Sequence, residues 1–145
     1  MSNGDEAIVR VLLNSNTEIG SKEVILALSA ALNGGSQAIV QLLLDEGVDV
    51  SVRSYARESP LQVASRMGDE KLVQLLLDNG ADVDAQGGHA LQAASESGHQ
   101  DIVSLLLDKG ADVNAQGGHA LQVASKFGHK EVVSLLLDKG ADVNA

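Results

Sequence analysis

Gly80 to Gln92 read GADVDAQGGHALQ, and Gly110 to Gln122 repeat the string with a single letter changed, Asp84 giving way to Asn114. A Leu-Leu-Leu-Asp-x-Gly stretch closes at Gly47, Gly80, Gly110 and Gly140, at intervals of 33, 30 and 30 residues. A fixed period of this length constrains the fold more than any local pattern does. One supersecondary unit is built several times, and its copies stack along the chain. The segment Asn79 to Asp108 matches Lys109 to Asp138 at 22 of 30 positions. Leu61 to Gly80 fits the later copies without gaps, and Leu28 to Gly47 fits at a shift of 33. Ala7 to Asn16, AIVRVLLNSN, has the pattern of the second half of a copy. The expected organisation is a single domain over 1–145: a capping half-copy at 1–19, then copies at 20–49, 50–82, 83–112 and 113–145.

Each copy carries two helical patterns. The first is short, as in HALQVASKF, with Leu121 and Ala124 on one face and Gly128 suited to the left-handed residue that closes a helix. The second is HKEVVSLLLDK, closed by Gly140. Val132, Val133, Leu135, Leu136 and Leu137 cover more than one stripe of it, so the helix must be buried on two sides. One copy alone has nothing to supply the second side. A neighbouring copy does, and the array is then stable only as a stack.

The unit resembles the ankyrin repeat over about residues 20–145. SPLQVA, Ser59 to Ala64, is the nearest match to the family's T-P-L-H-x-A signature, and Gly98 to Asn114 reproduce its G-H-x-x-I-V-x-L-L-L-x-x-G-A-D-V-N half. The resemblance implies an all-α solenoid of helix-turn-helix units with short finger loops. In the last two copies the signature Thr-Pro is replaced by His89-Ala90 and His119-Ala120, and three residues are missing between ADV and ALQ. The family's β-hairpin finger is therefore expected to be clipped to AQGGH in those copies and to keep its full length at Ser51 to Glu58. Arrays of such clipped units resemble those of fungal multidomain NTPases, which implies that the chain is part of a longer protein.

Reactive chemistry is scarce. The 145 residues include no cysteine, one tyrosine and one phenylalanine. Ten basic residues against 20 acidic ones give a formal charge of −10, which repels phosphate backbones and anionic membranes. Nucleic acid and membrane are excluded as partners on that ground. The start of the chain lacks the basic residues and apolar run of a secretory leader, so a soluble cytoplasmic protein is expected. The histidines at 89, 99, 119 and 129 are the only candidates for a metal centre. They align instead with helix starts in the other copies: His99 and His129 with Asp69 and Ser36, and His89 and His119 with Ser59. Gly87-Gly88 and Gly117-Gly118 lack the Lys-Ser/Thr that a phosphate loop requires, and read as turns. The recurring Asp49, Asp82, Asp112 and Asp142 belong to different units, and the resemblance implies that each ties down a turn. No catalytic residue, metal or cofactor is expected.

A binding surface remains. The resemblance implies that a protein partner meets the finger tips and the exposed ends of the first helices, on the concave side. Those ends are Arg66-Met67, Glu96-Ser97 and Lys126-Phe127, and they differ in every copy although the copies otherwise nearly coincide. The full-length finger adds Arg53, Tyr55 and Arg57, and the clipped fingers add His89 and His119. Tyrosine and arginine are enriched among the residues that dominate binding energies. The basic side chains suggest a partner of mixed or negative charge. A competing expectation is structural. The last copy has the sequence of an internal one, so Val132, Leu135 and Leu136 would be incompletely covered and could pair two chains end to end as a homodimer.

Overall fold

The computed structural model describes residues 22–54 and 57–143. The half-copy at 1–19 and Tyr55 lie outside them. Among the described residues there are eight helices and no strand. They form four successive pairs: α1 Lys22–Asn33 with α2 Gln37–Asp45, α3 Pro60–Met67 with α4 Glu70–Asp78, α5 Ala85–Ser97 with α6 Gln100–Asp108, and α7 Ala115–Lys126 with α8 Lys130–Asp138. The chain is an all-α repeat solenoid.

Local chemistry sets the helix ends. Ser36 Oγ accepts from Ile39 N–H at 3.2 Å and Asp69 Oδ1 from Leu72 N–H at 3.1 Å, each satisfying an orphan donor at the start of a second helix. Ser59 Oγ does the same for Gln62 N–H at 3.1 Å, and Pro60 occupies the first helical position, where its missing N–H costs nothing. Gly68 and Gly98 end α3 and α5 in the left-handed region, at φ 76° and 77°.

The first helices pack on one another more closely than the second helices do. Alanine permits this: Ala64, Ala94 and Ala124 are completely buried where first helices meet. Leucine, valine and isoleucine fill the second-helix layer, with Leu72, Val73, Leu76, Val103 and Leu106 all fully buried. Small residues thus line the first-helix side and large ones the second-helix side, the arrangement expected of a stack whose concave side is lined by the first helices. Burying one such leucine is worth about 1.5–3 kcal/mol. An isolated pair keeps only the part that its own first helix covers, because the same side chains also face the next pair.

Two expectations need correction. The clipped fingers are not β-structure. Gln86, Gly87 and Gly88 have φ of 58°, 75° and 84°, and Gln116, Gly117 and Gly118 repeat this at 52°, 69° and 79°. Three consecutive left-handed residues are one turn of left-handed helix, the shortest way to reverse the chain after three residues have been removed. Gln116 and Gln86 pay for this with strain of about 1–2 kcal/mol each, and each side chain returns a bond to the copy before it. Gln86 Nε2 donates to Arg57 O at 3.3 Å, and Gln116 Nε2 to Gln86 O at 3.4 Å.

The second correction concerns the last pair. Val132 and Leu136 are fully buried, because they face α6 across the preceding interface. Leu135 is half-buried, as are Leu75 and Leu105 in the same column. The apolar residues that lose cover include Val133 and Leu121, half-buried where Val103 and Leu91 are buried, and Leu137, exposed where Leu77 and Leu107 are half-buried. These point forward along the stack.

The turns after the second helices behave as the resemblance implies. Asp82 Oδ1 accepts from Asp84 N–H and Asp112 Oδ1 from Asn114 N–H, both at 2.9 Å. Asp49 Oδ1 accepts from the Ser51 N–H at 2.8 Å and its hydroxyl at 2.7 Å, and these two bonds hold its carboxyl below the usual carboxylate range. One letter distinguishes two of these turns. Asn114 Oδ1 accepts from Asp142 N–H at 2.8 Å while its Nδ2 donates to Gly140 O at 3.2 Å, joining two copies twice. Asp84 accepts from Asp112 N–H at 2.9 Å, but a carboxylate has no hydrogen to offer the matching Gly110 carbonyl. Asp84→Asn is therefore expected to stabilise the array by about 0.5–1 kcal/mol, one net hydrogen bond. A urea midpoint that rises at unchanged slope is the expected readout, and a lower midpoint would contradict the assignment.

Candidate functional site

The first-helix side holds a groove of about 350 Å³ where α3, α5 and the start of α7 come together. Glu58, Gln62 and Arg66 line one wall, and His89, Gln92, Glu96, Ser97 and His119 the other wall and the far end. Arg66 NH2 reaches Glu58 Oε1 at 3.2 Å across the base of the full-length finger. Both side chains are partly exposed, so the pair orders the groove more than it stabilises the fold.

His89 has a defined tautomer. Gln86 donates its amide nitrogen to Arg57 O, which turns its Oε1 toward His89 Nδ1 at 3.2 Å. The Nδ1 of a neutral ring then carries the hydrogen, and Nε2 is left as an acceptor. His89 and His119 are both half-buried.

His99 and His129 occupy the N-cap positions of α6 and α8, but neither caps through its side chain. Each ring reaches back to the preceding copy instead: His99 Nε2 to Arg66 O at 2.9 Å, and His129 Nε2 to Glu96 O at 2.8 Å. A carbonyl can only accept, so Nε2 bears the proton in both. An imidazole is longer than a serine hydroxyl or an aspartate carboxyl and passes beyond its own helix end, finding the free carbonyl next to a closing glycine. These two rings are staples between copies. Among the described residues no three His, Asp or Glu side chains converge as a metal site would require, and no helix is long and apolar enough to cross a membrane.

The groove brings together five of the residues singled out in the sequence: Arg66, His89, Glu96, Ser97 and His119. Arg53 sits apart, in a second cleft of about 330 Å³ between the full-length finger and the clipped one, opposite Asp82 and Gln86. Arg57 is exposed at the tip of the full finger with φ 62°. Met67, Lys126 and Phe127 are exposed beyond the groove rim. The Phe127 ring is 50% exposed, with His129 stacked at 6.4 Å between centroids and Lys126 Nζ 5.4 Å from its centre. It is not packed under the finger. Sequence reasoning missed Glu58, Gln62 and Gln92. The signal for the two glutamines was present in the repeated Leu-Gln of Leu61-Gln62, Leu91-Gln92 and Leu121-Gln122.

Comparison with curated proteins returns no match. A family model described as ankyrin repeats (3 copies) matches residues 1–87 and, a second time, 84–145. The two matches together run the length of the chain that builds this stack of helix pairs, and the chain belongs to the ankyrin-repeat family.

Proposed function

We propose that the chain is a non-catalytic recognition module that binds a protein partner along its first-helix face. One observation carries this reading. The last two copies agree at 22 of 30 positions, yet Glu96-Ser97 and Lys126-Phe127 are among those that differ, Arg66-Met67 differ again in the copy before, and all six side chains are exposed at the ends of the first helices. Ankyrin repeats generally serve protein–protein interaction, which supports the same reading. The groove adds shape. It is polar and broad, suited to side chains of a protein surface rather than to a small apolar molecule. The clipped 30-residue copies, with their resemblance to the arrays of fungal multidomain NTPases, favour a recognition segment within a larger protein.

The test is affinity capture with two charge-altered variants. Arg66→Glu combined with Glu96→Lys changes the groove. Lys71→Glu combined with Glu70→Lys changes the exposed start of α4 by the same amount. The groove variant is expected to weaken capture of the partner at least about tenfold, since truncating or reversing paired interface charges costs roughly 2 kcal/mol or more. The α4 variant is expected to capture it normally. Equal capture by both, with unchanged helical content, would reject the surface.

A further inference from the structure

The glutamine after the first leucine of the last three first helices has one task in two copies and none in a third. Gln92 Nε2 donates to Gly87 O at 3.4 Å, and Gln122 Nε2 to Gly117 O at 3.1 Å, so each closes the clipped finger of its own copy. The copy containing Gln62 has a full-length finger and no glycine carbonyl in that place. Gln62 makes no such bond, and its Oε1 is buried without a donor. A carboxamide that nothing pins can turn, and burying an amide oxygen without a partner costs free energy that a bound N–H would recover. This side chain lies in the wall of the groove, beside Glu58 and across from Glu96.

The charge balance of the groove points the same way. Two carboxylates, Glu58 and Glu96, face one guanidinium, Arg66, which is already engaged by Glu58 Oε1. A neutral His89 ring contributes Nε2 as a further acceptor, with its Nδ1–H directed at Gln86 Oε1. The groove therefore carries one more carboxylate than guanidinium, in a chain of net charge −10. Arginine and lysine side chains carry donors only.

Building on the concave-face reading, we propose that this groove receives a cationic side chain, arginine or lysine, from the protein partner. Glu96 and the free oxygen of Glu58 hold its charge, and Gln62 Oε1 accepts one of its N–H groups. This narrows the expectation of a partner of mixed or negative charge drawn from the isolated basic residues, because the one arginine in the groove is already paired.

The test uses four blocked tripeptides, acetyl-Gly-X-Gly-amide with X arginine, lysine, glutamate or leucine, titrated against the isotope-labelled chain by two-dimensional amide NMR. The arginine and lysine peptides are expected to shift the amides of Glu58, Gln62 and Glu96. Glu96→Gln is expected to weaken them about fivefold or more, the loss of one charge-assisted contact. That variant keeps the backbone carbonyl used by His129, so the fold is not at stake. The proposal is overturned if the arginine peptide leaves those amides unmoved, or if Glu96→Gln binds it as tightly. Groove shifts caused by the glutamate or leucine peptide instead would refute the cationic occupant and leave the concave face intact. Shifts from all four gathered on the second-helix side would count against the concave face itself.

Discussion

Leu106→Ala is expected to cost about 3–5 kcal/mol and to loosen three helix pairs rather than one. The side chain is fully buried, so its removal loses the transfer free energy and leaves a cavity. Its helix, α6, packs on α4 behind and α8 ahead, and the stack has no other second-helix contact between those two. In a linear array the stability of each unit includes the terms it shares with its neighbours, so a defect in the middle is felt on both sides. Leu136 is buried to the same extent in α8, which among the described helices has a second-helix neighbour only on the α6 side. Leu136→Ala is expected to open the last pair and leave the others protected. Native-state hydrogen exchange separates the two cases. Lost protection spread over α4, α6 and α8 in the Leu106 variant, against loss confined to α7 and α8 in the Leu136 variant, is the expected pattern. Loss restricted to α5 and α6 in the Leu106 variant would mean that the pairs fold independently, and the stacking argument would fail.

What the sequence revealed of this molecule follows from how far each interaction reaches along the chain. The leucine pattern, Gly68 and Gly98 at helix ends, and the caps at Ser36, Ser59 and Asp69 depend on residues within a few positions, and all were readable. The aspartate turns were readable through the family resemblance. The histidine staples were not. His99 and Arg66 are 33 residues apart, and nothing in the letter His separates a ring that caps its own helix from one that reaches the previous unit. The left-handed turn at Gln86 was hidden for a related reason. Glycine announces positive φ and glutamine does not, and the strain at Gln86 is tolerated because Arg57 O, 29 residues back, takes its amide. The candidate site was half legible. Exposure of Arg66, Glu96 and Phe127 followed from their place between the Ala-Ser, whose alanine is buried in every case, and the closing glycine. The idle amide of Gln62 followed only from a comparison of finger lengths in three dimensions.

Gly98→Ala is expected to destabilise the array by about 2–4 kcal/mol, and Gly128→Ala by only about 1–2 kcal/mol, although the two glycines share a role and a conformation. Their φ values are 77° and 74°, so a methyl group meets the same backbone strain at both. What lies beyond the methyl differs. At Gly98 an added Cβ would come within 2.6 Å of His129 Nδ1, whereas at Gly128 nothing lies within 4 Å. The ring cannot yield without leaving the Glu96 carbonyl that it meets at 2.8 Å, so the substitution removes a staple as well as straining a turn. Position in the array could also make the Gly98 variant worse, because Gly98 belongs to an internal pair. A double-mutant cycle removes that ambiguity. In a His129→Ala background no ring opposes the methyl, and the cost of Gly98→Ala should fall to that of Gly128→Ala. Chemical denaturation of the four proteins measures the coupling. If Gly98→Ala costs as much without the imidazole as with it, the ring is not what confines that position, and His129 is no staple.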